Sequence, residues 1–319
     1  MFRLLYKGRG TRDGGRGKNK FKVQSSRFRV FQVSNFQLPA SNHKSEIINH
    51  KWLWAIVYCL CTFSSAAQQA NNYSLIKIIP IKGTYLKIDN FGNTYVVNDK
   101  NELHKFKPNG EFVKFYNVVG IGKIGFVDVS NAMKVLAYYP RYTTIKILDV
   151  TLSDKASINL LNLGFDRVNA MCLALDNNIW IYDEIGFRLK KIDDNLNIKQ
   201  QSEDLTTQLQ LNVRPNFMLE KDNLLFVNDP EIGILVFDIY STYIKTIPIK
   251  GLKEFQKLKD LLIYYHEGKL HSYHLKTLAF SEIPLPETTD NITDVKVETE
   301  HLAMLTENEL LLYKFLSLK

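Results

Sequence analysis

The chain has 319 residues, of which 45% are hydrophobic, 12% aromatic and only 23% charged. That composition can bury a large core and excludes wholesale disorder. The formal charge of +8 is confined to one end: residues 1–51 hold 12 Lys/Arg against 2 Asp/Glu, while the rest hold 29 against 31. The folded part is therefore close to neutral, the pI near 9.1 belongs to the leader, and whole-chain charge gives no support to a nucleic-acid partner.

In chain order, residues 1–45 are a basic low-complexity leader without sustained period, read as disordered or as a mis-assigned upstream start. An RNA-binding tail of the arginine-glycine type is the competing reading of RGTRDGGRGKNK. Residues 46–67 read as a signal peptide. His50-Lys51 precede the apolar run Trp52–Phe63, and SSAAQQ follows, with Ser65 and Ala67 placed for cleavage after Ala67. The apolar run falls short of the about 20 residues a span requires, so no transmembrane span is expected in the mature chain. Cys61 lacks the small residues that precede a lipid-attachment site. Cleavage would remove Cys59 and Cys61 and leave Cys172 in the apolar run Ala170–Leu175, a buried thiol with no intramolecular disulfide partner.

Residues 68–319 are a repeat domain. IKIIPIKG (Ile76–Gly83) returns as IKTIPIKG (Ile244–Gly251), 168 positions later, which is four times 42. A short strand, often followed by Asp, recurs with its last apolar residue at Phe106, Leu148, Ile192, Phe237, Tyr273 and Tyr313, in steps of 42, 44, 45, 36 and 40. A second strand precedes each landmark, clearest in Asn93–Asp99, Asn177–Asp183 and Asn223–Asp229. A shorter one lies ahead of that, as in Tyr85–Asp89 and Phe217–Lys221, and a fourth follows, as in Phe112–Tyr116. Four short β-branched and aromatic segments in about 42 residues make one propeller blade.

The predicted fold is all-β: a six-bladed β-propeller of four-stranded antiparallel blades. The last repeat runs out after three strands, whereas an orphan strand, residues 75–81, precedes the first repeat. That N-terminal strand is expected to complete the last blade and close the ring, which would protect two edges.

The D-x-x-G-N-x-Y-V run (Asp89–Val96), the Leu103–Phe106 strand and the Asn109-Gly110 turn resemble those of exported bacterial six-bladed β-propellers of the NHL-repeat or TolB-like group. The resemblance covers residues 74–319 and implies an architecture; such propellers include enzymes, ligand-binding modules and scaffolds.

Motifs that would carry chemistry fare poorly. Gly120-Ile-Gly122-Lys-Ile-Gly125 matches G-x-G-x-x-G, but Phe-Val-Asp-Val follows, a strand where a dinucleotide site needs a helix. His266, Glu267, His271 and His274 invite a zinc reading, yet a strand turns His271 and His274 to opposite faces. Asp99, Asp183 and Asp229 fall at equivalent turns, either as a calcium set at the channel mouth or as Asx-turn formers, the second being favoured. No G-x-S-x-G elbow, H-E-x-x-H helix or phosphate loop is present. The expected function is a non-catalytic binding or scaffolding module, exported to the periplasm or an outer-membrane-associated envelope, with an envelope protein or glycan partner on one face. No cofactor is predicted. The alternative is a propeller hydrolase or lyase with a divalent metal in the channel.

Overall fold

A computed structural model describes residues 73–288 and 291–315; the segments expected to be a leader (1–45) and a signal peptide (46–67) lie outside these residues. Strand β1 (Tyr73–Pro80) comes first in the chain. Blade one then runs β2 (Gly83–Ile88), β3 (Thr94–Asn98), β4 (Leu103–Phe106) and β5 (Phe112–Tyr116). Blade two is β6 (Phe126–Asp128), β7 (Val135–Tyr139), β8 (Thr144–Leu148) and β9 (Asp154–Asn159). Blade three is β10 (Met171–Leu173), β11 (Ile179–Asp183), β12 (Arg188–Ile192) and β13 (Ile198–Gln201). Blade four is β14 (Phe217–Lys221), β15 (Leu224–Asp229), β16 (Gly233–Asp238) and β17 (Tyr243–Ile247). Blade five is β18 (Gln256–Leu258), β19 (Leu261–His266), β20 (Lys269–His274) and β21 (Phe280–Ile283). Blade six has β22 (Ile292–Glu298), β23 (His301–Thr306) and β24 (Glu309–Phe315). Its fourth strand is β1, paired antiparallel with β24 from Tyr73↔Phe315 to Pro80↔Glu309.

The recurring Asp after the third strand has a local cause. Asp149 Oδ1 accepts from the N–H of Thr151 and Ser153, Asp193 Oδ1 from Asn195 and Asn197, and Asp238 Oδ1 from Tyr240 and Thr242. Each carboxylate thus builds the hairpin to the outer strand, and the next residue but two takes a left-handed backbone: Leu152, Leu196 and Ser241. A β-bulge falls just ahead of the same turn in blades one to four.

Burial follows the blades. The middle strands are almost entirely buried, as in β3, β7 and β11, because both faces of each sheet meet a neighbour. Apolar side chains form a separate cluster at every junction. One example is Leu86, Val96 and Phe106 of blade one against Ala303, Leu305 and Leu312 of blade six. Cys172 is fully buried in the cluster between blades three and four, and burial pushes its thiol well above the ordinary range, so it is a core residue. Two short helical pieces, at Leu160–Leu163 and Leu205–Leu209, sit in the connections after blades two and three, where the sequence repeats gave no sign of them.

Candidate functional site

The inner strands line a central channel, and charged residues alternate with apolar ones on β2 and β22. Lys87 and Ile88 share this alternation with Asp294, Val295, Lys296 and Val297: the even-numbered members of the pair on β22 turn inward while the valines enter the core. Glu254, in the connection leading to β18, reaches the same level. Lys87 Nζ lies 2.5 Å from Glu254 Oε2, Lys296 Nζ 2.6 Å from Glu254 Oε1, and Lys296 Nζ 2.5 Å from Asp294 Oδ1. Two lysines and two carboxylates from blades one, five and six form a neutral bridge across the axis.

Aromatic rings complete the plug. The Lys87 ammonium stands 4.9 Å from the centre of the Phe217 ring, 5.1 Å from Tyr85 and 5.8 Å from Phe126, within cation–π range. Tyr85 donates its hydroxyl to the Val127 carbonyl at 3.3 Å, and burial together with Glu254 holds its pKa well above the phenol range.

The tetrad sets the protonation states. Burial raises the Glu254 carboxyl, but Lys296 and Lys87 outweigh it and hold the group at about 2. Burial lowers the Lys296 ammonium, which Asp294 and Glu254 more than offset, so its pKa rises. Asp294 goes the other way: burial raises its carboxyl, Glu254 adds to the rise, and Lys296 offsets only part.

The plug divides the channel. On one side is a funnel of about 680 Å³, walled by Tyr85, Phe217, Tyr264 and Tyr265, with Lys253 and His266 towards its mouth and the tetrad as its floor. On the other is a pocket of about 100 Å³ reached from the opposite face. The funnel falls within the 300–1,000 Å³ typical of ligand sites. Its mouth is made by connections with fixed geometry. Gly251 has φ +75° and donates to the Pro230 carbonyl, and a Cβ there would lie 3.3 Å from His266 Cε1. Gly251, which ends the second copy of the IPIKG motif, therefore serves a close passage into blade five.

The six candidate metal ligands are scattered. His266 is at the funnel mouth, 3.7 Å from Glu267. His271 stacks on Tyr264 within blade five, and His274 Nδ1 accepts from the N–H of Lys276 and Thr277 as a turn former. Asp183 accepts from Ile185 and Gly186 N–H and pairs with Lys190, whereas Asp229 accepts from Arg214, Glu231 and Ile232 N–H. Asp99 lies exposed on its turn, where the neighbouring Asn98 supplies the capping oxygen instead. Among the described residues no group of three or more His, Cys, Asp or Glu side chains is gathered to hold a metal ion. Residues 117–125, which contain the glycine motif, run directly into β6 rather than a helix. Lys87, Glu254, Asp294 and Lys296 belong to no sequence motif and are brought together only by the fold. A signal is present in Asp294 and Lys296, two opposite charges that flank Val295 on an inner strand.

Six four-stranded blades around a lined channel define a six-bladed β-propeller. No protein-family model matches the sequence, and neither does any curated protein. Solved structures do match. Virginiamycin B lyase from Staphylococcus aureus aligns over 76% of this chain and 99% of its own at 14% identity, with a TM-score of 0.55. The Pan2 WD40 domain of Neurospora crassa aligns over 77% and 98% at 10% identity, with a TM-score of 0.54. At these identities the likeness is one of fold, in keeping with the resemblance to the NHL and TolB-like propellers. No helix among the described residues is long and apolar enough to cross a membrane.

Proposed function

We propose that this protein is a non-catalytic binding module of the cell envelope, exported by the segment 46–67, whose funnel receives part of an envelope protein or glycan. The observation that carries this reading is the floor of the funnel. Lys87, Glu254, Lys296 and Asp294 neutralise one another, and Glu254 and Lys296 are held in their charged forms across the physiological range. Such a floor offers shape and fixed hydrogen-bonding groups to a ligand, in a preformed site of ligand size. Titration calorimetry against envelope glycans and peptidoglycan fragments tests it. Saturable binding that Tyr265→Ala and Lys253→Glu weaken, with the ligand recovered unchanged, is the expected result; turnover of the ligand would contradict it.

One observation favours the second reading, a hydrolase or lyase. The Asp294 carboxyl faces the funnel and is pushed up by burial, the direction a general acid requires. If a divalent metal also acts in the channel, the purified protein will contain it stoichiometrically and lose thermal stability on chelation. Metal-free protein with full ligand affinity excludes that version.

A further inference from the structure

On the face opposite the funnel, each inner strand turns into the second strand of its blade. In blades four, five and six these turns are charged, with Lys221-Asp222, Lys259-Asp260 and Glu298–Glu300. In blades one, two and three they present Phe91, Met133 and Leu175, which are 63%, 65% and 58% exposed. Turn tips are ordinarily polar. Three large apolar side chains on consecutive turns, around one pocket of about 250 Å³, divide this face into an apolar half and a charged half.

The apolar half is rigidly built. Asp89 Oδ1 accepts from the N–H of Phe91 and Asn93, Asn131 Oδ1 from Met133, and the buried Glu220 carboxylate from Leu175 at 3.0 Å. Asn131 donates to Asn177 across blades two and three. Glu220 is itself bound by the Trp180 indole N–H. Little ordering entropy remains to be lost on binding. Around the pocket, the side chains of Asn90, Ser130 and Lys221 have no hydrogen-bond or ion-pair partner among the described residues.

We propose that this pocket docks a short extended peptide segment of a partner protein, with one bulky apolar side chain in the pocket and a carboxylate just after it on Lys221. The exposed apolar area is on the order of 400 Å², within the range of patches that mark functional surfaces. That is about half of what each partner of a standard folded-domain interface buries, so a segment fits better than a second globular surface. Lys221 sets the sign of the neighbouring charge, and Asn90 and Ser130 are free to meet the peptide backbone. The charged half carries both signs, with Asp222 paired to Lys257, Asp260 to Lys276 and Glu300 to Lys314, so it offers no strongly basic surface for an anionic lipid layer.

The test uses the purified protein and fluorescein-labelled octapeptides that carry Phe, Leu or Trp followed by Glu, each paired with a counterpart carrying Lys in place of Glu. Fluorescence anisotropy is expected to show the acidic peptides binding about tenfold more tightly than their lysine counterparts. Leu175→Asp and, independently, Met133→Lys should each weaken binding about tenfold or more. Lys221→Glu should reverse the charge preference. Tyr240→Ala, at an exposed site on the blade-four hairpin, should change nothing, and circular dichroism melts establish that each variant is folded. Lack of saturable binding at millimolar peptide overturns the proposal, as does a charge preference indifferent to Lys221→Glu. Self-association or vesicle binding that Leu175→Asp abolishes, without peptide binding, also overturns it.

Discussion

Replacing Glu254 by Gln removes one charge from the axis without changing the volume of the plug. The wild-type carboxylate takes Lys87 on one oxygen and Lys296 on the other, at 2.5 Å and 2.6 Å. The two lysine side chains are only 13% and 5% exposed, so neither ammonium regains full hydration unless the plug opens. Stranding a buried charge by removing its partner costs about 3–5 kcal/mol. Asp294 still holds Lys296, and the funnel admits some water to the site, so the lower end applies, about 3 kcal/mol. For a domain of this size that corresponds to a fall in Tm of roughly 6–12 °C. Urea unfolding at pH 7, followed by far-ultraviolet circular dichroism, measures the loss. Adding Lys87→Met to Glu254→Gln should recover part of it, because one of the stranded charges is then gone. A loss below about 1 kcal/mol, the size of an exposed ion pair, would show that the tetrad is solvated and that the channel is not plugged by it.

The pH dependence should carry the same signature. A carboxyl held near about 2 in the fold, against an ordinary 4.5, contributes stability that is present above pH 4.5 and lost as pH falls towards 2. Glu254→Gln should flatten that acid limb in a series of urea titrations. Asp294, whose carboxyl is raised, favours the fold in its protonated form, a contribution lost as the pH rises through its folded pKa, so Asp294→Asn should cost less stability at pH 7 than Glu254→Gln. Deleting residues 74–82 strips β24 of its partner strand, and the thermal transition should broaden and lose cooperativity; a truncated protein with an unchanged sharp melt would remove β1 from the ring's support. Gly233→Ala should cost about 2–3 kcal/mol, since φ is +120° and the new Cβ would lie 2.5 Å from the Ile247 carbonyl oxygen.

The architecture was legible because blades repeat their local chemistry. The landmark residues Phe106, Leu148, Ile192, Phe237, Tyr273 and Tyr313 all fall on third strands, and residues 217–221, 261–266 and 112–116 match their strands end to end. The orphan segment at 75–81 overlaps β1, and the Asp that follows the landmark acts within four residues of itself. Turn chemistry of that range is visible in sequence. The tetrad was not, because it joins residue 87 to residues 254, 294 and 296, and nothing local requires those side chains to meet. His266, His271 and His274 lie close together in sequence, but the strand and its hairpin give each a separate role.

The claim that the funnel is a binding site is tested most directly by site-specific photo-crosslinking in intact cells. A photoreactive amino acid at Glu267, on the funnel rim with its side chain 84% exposed, is compared with the same group at Tyr240. Binding through the funnel should give one discrete adduct from position 267, lost when Tyr265→Ala is added, and none from position 240. Identical adducts from both positions, or none from position 267, would contradict it.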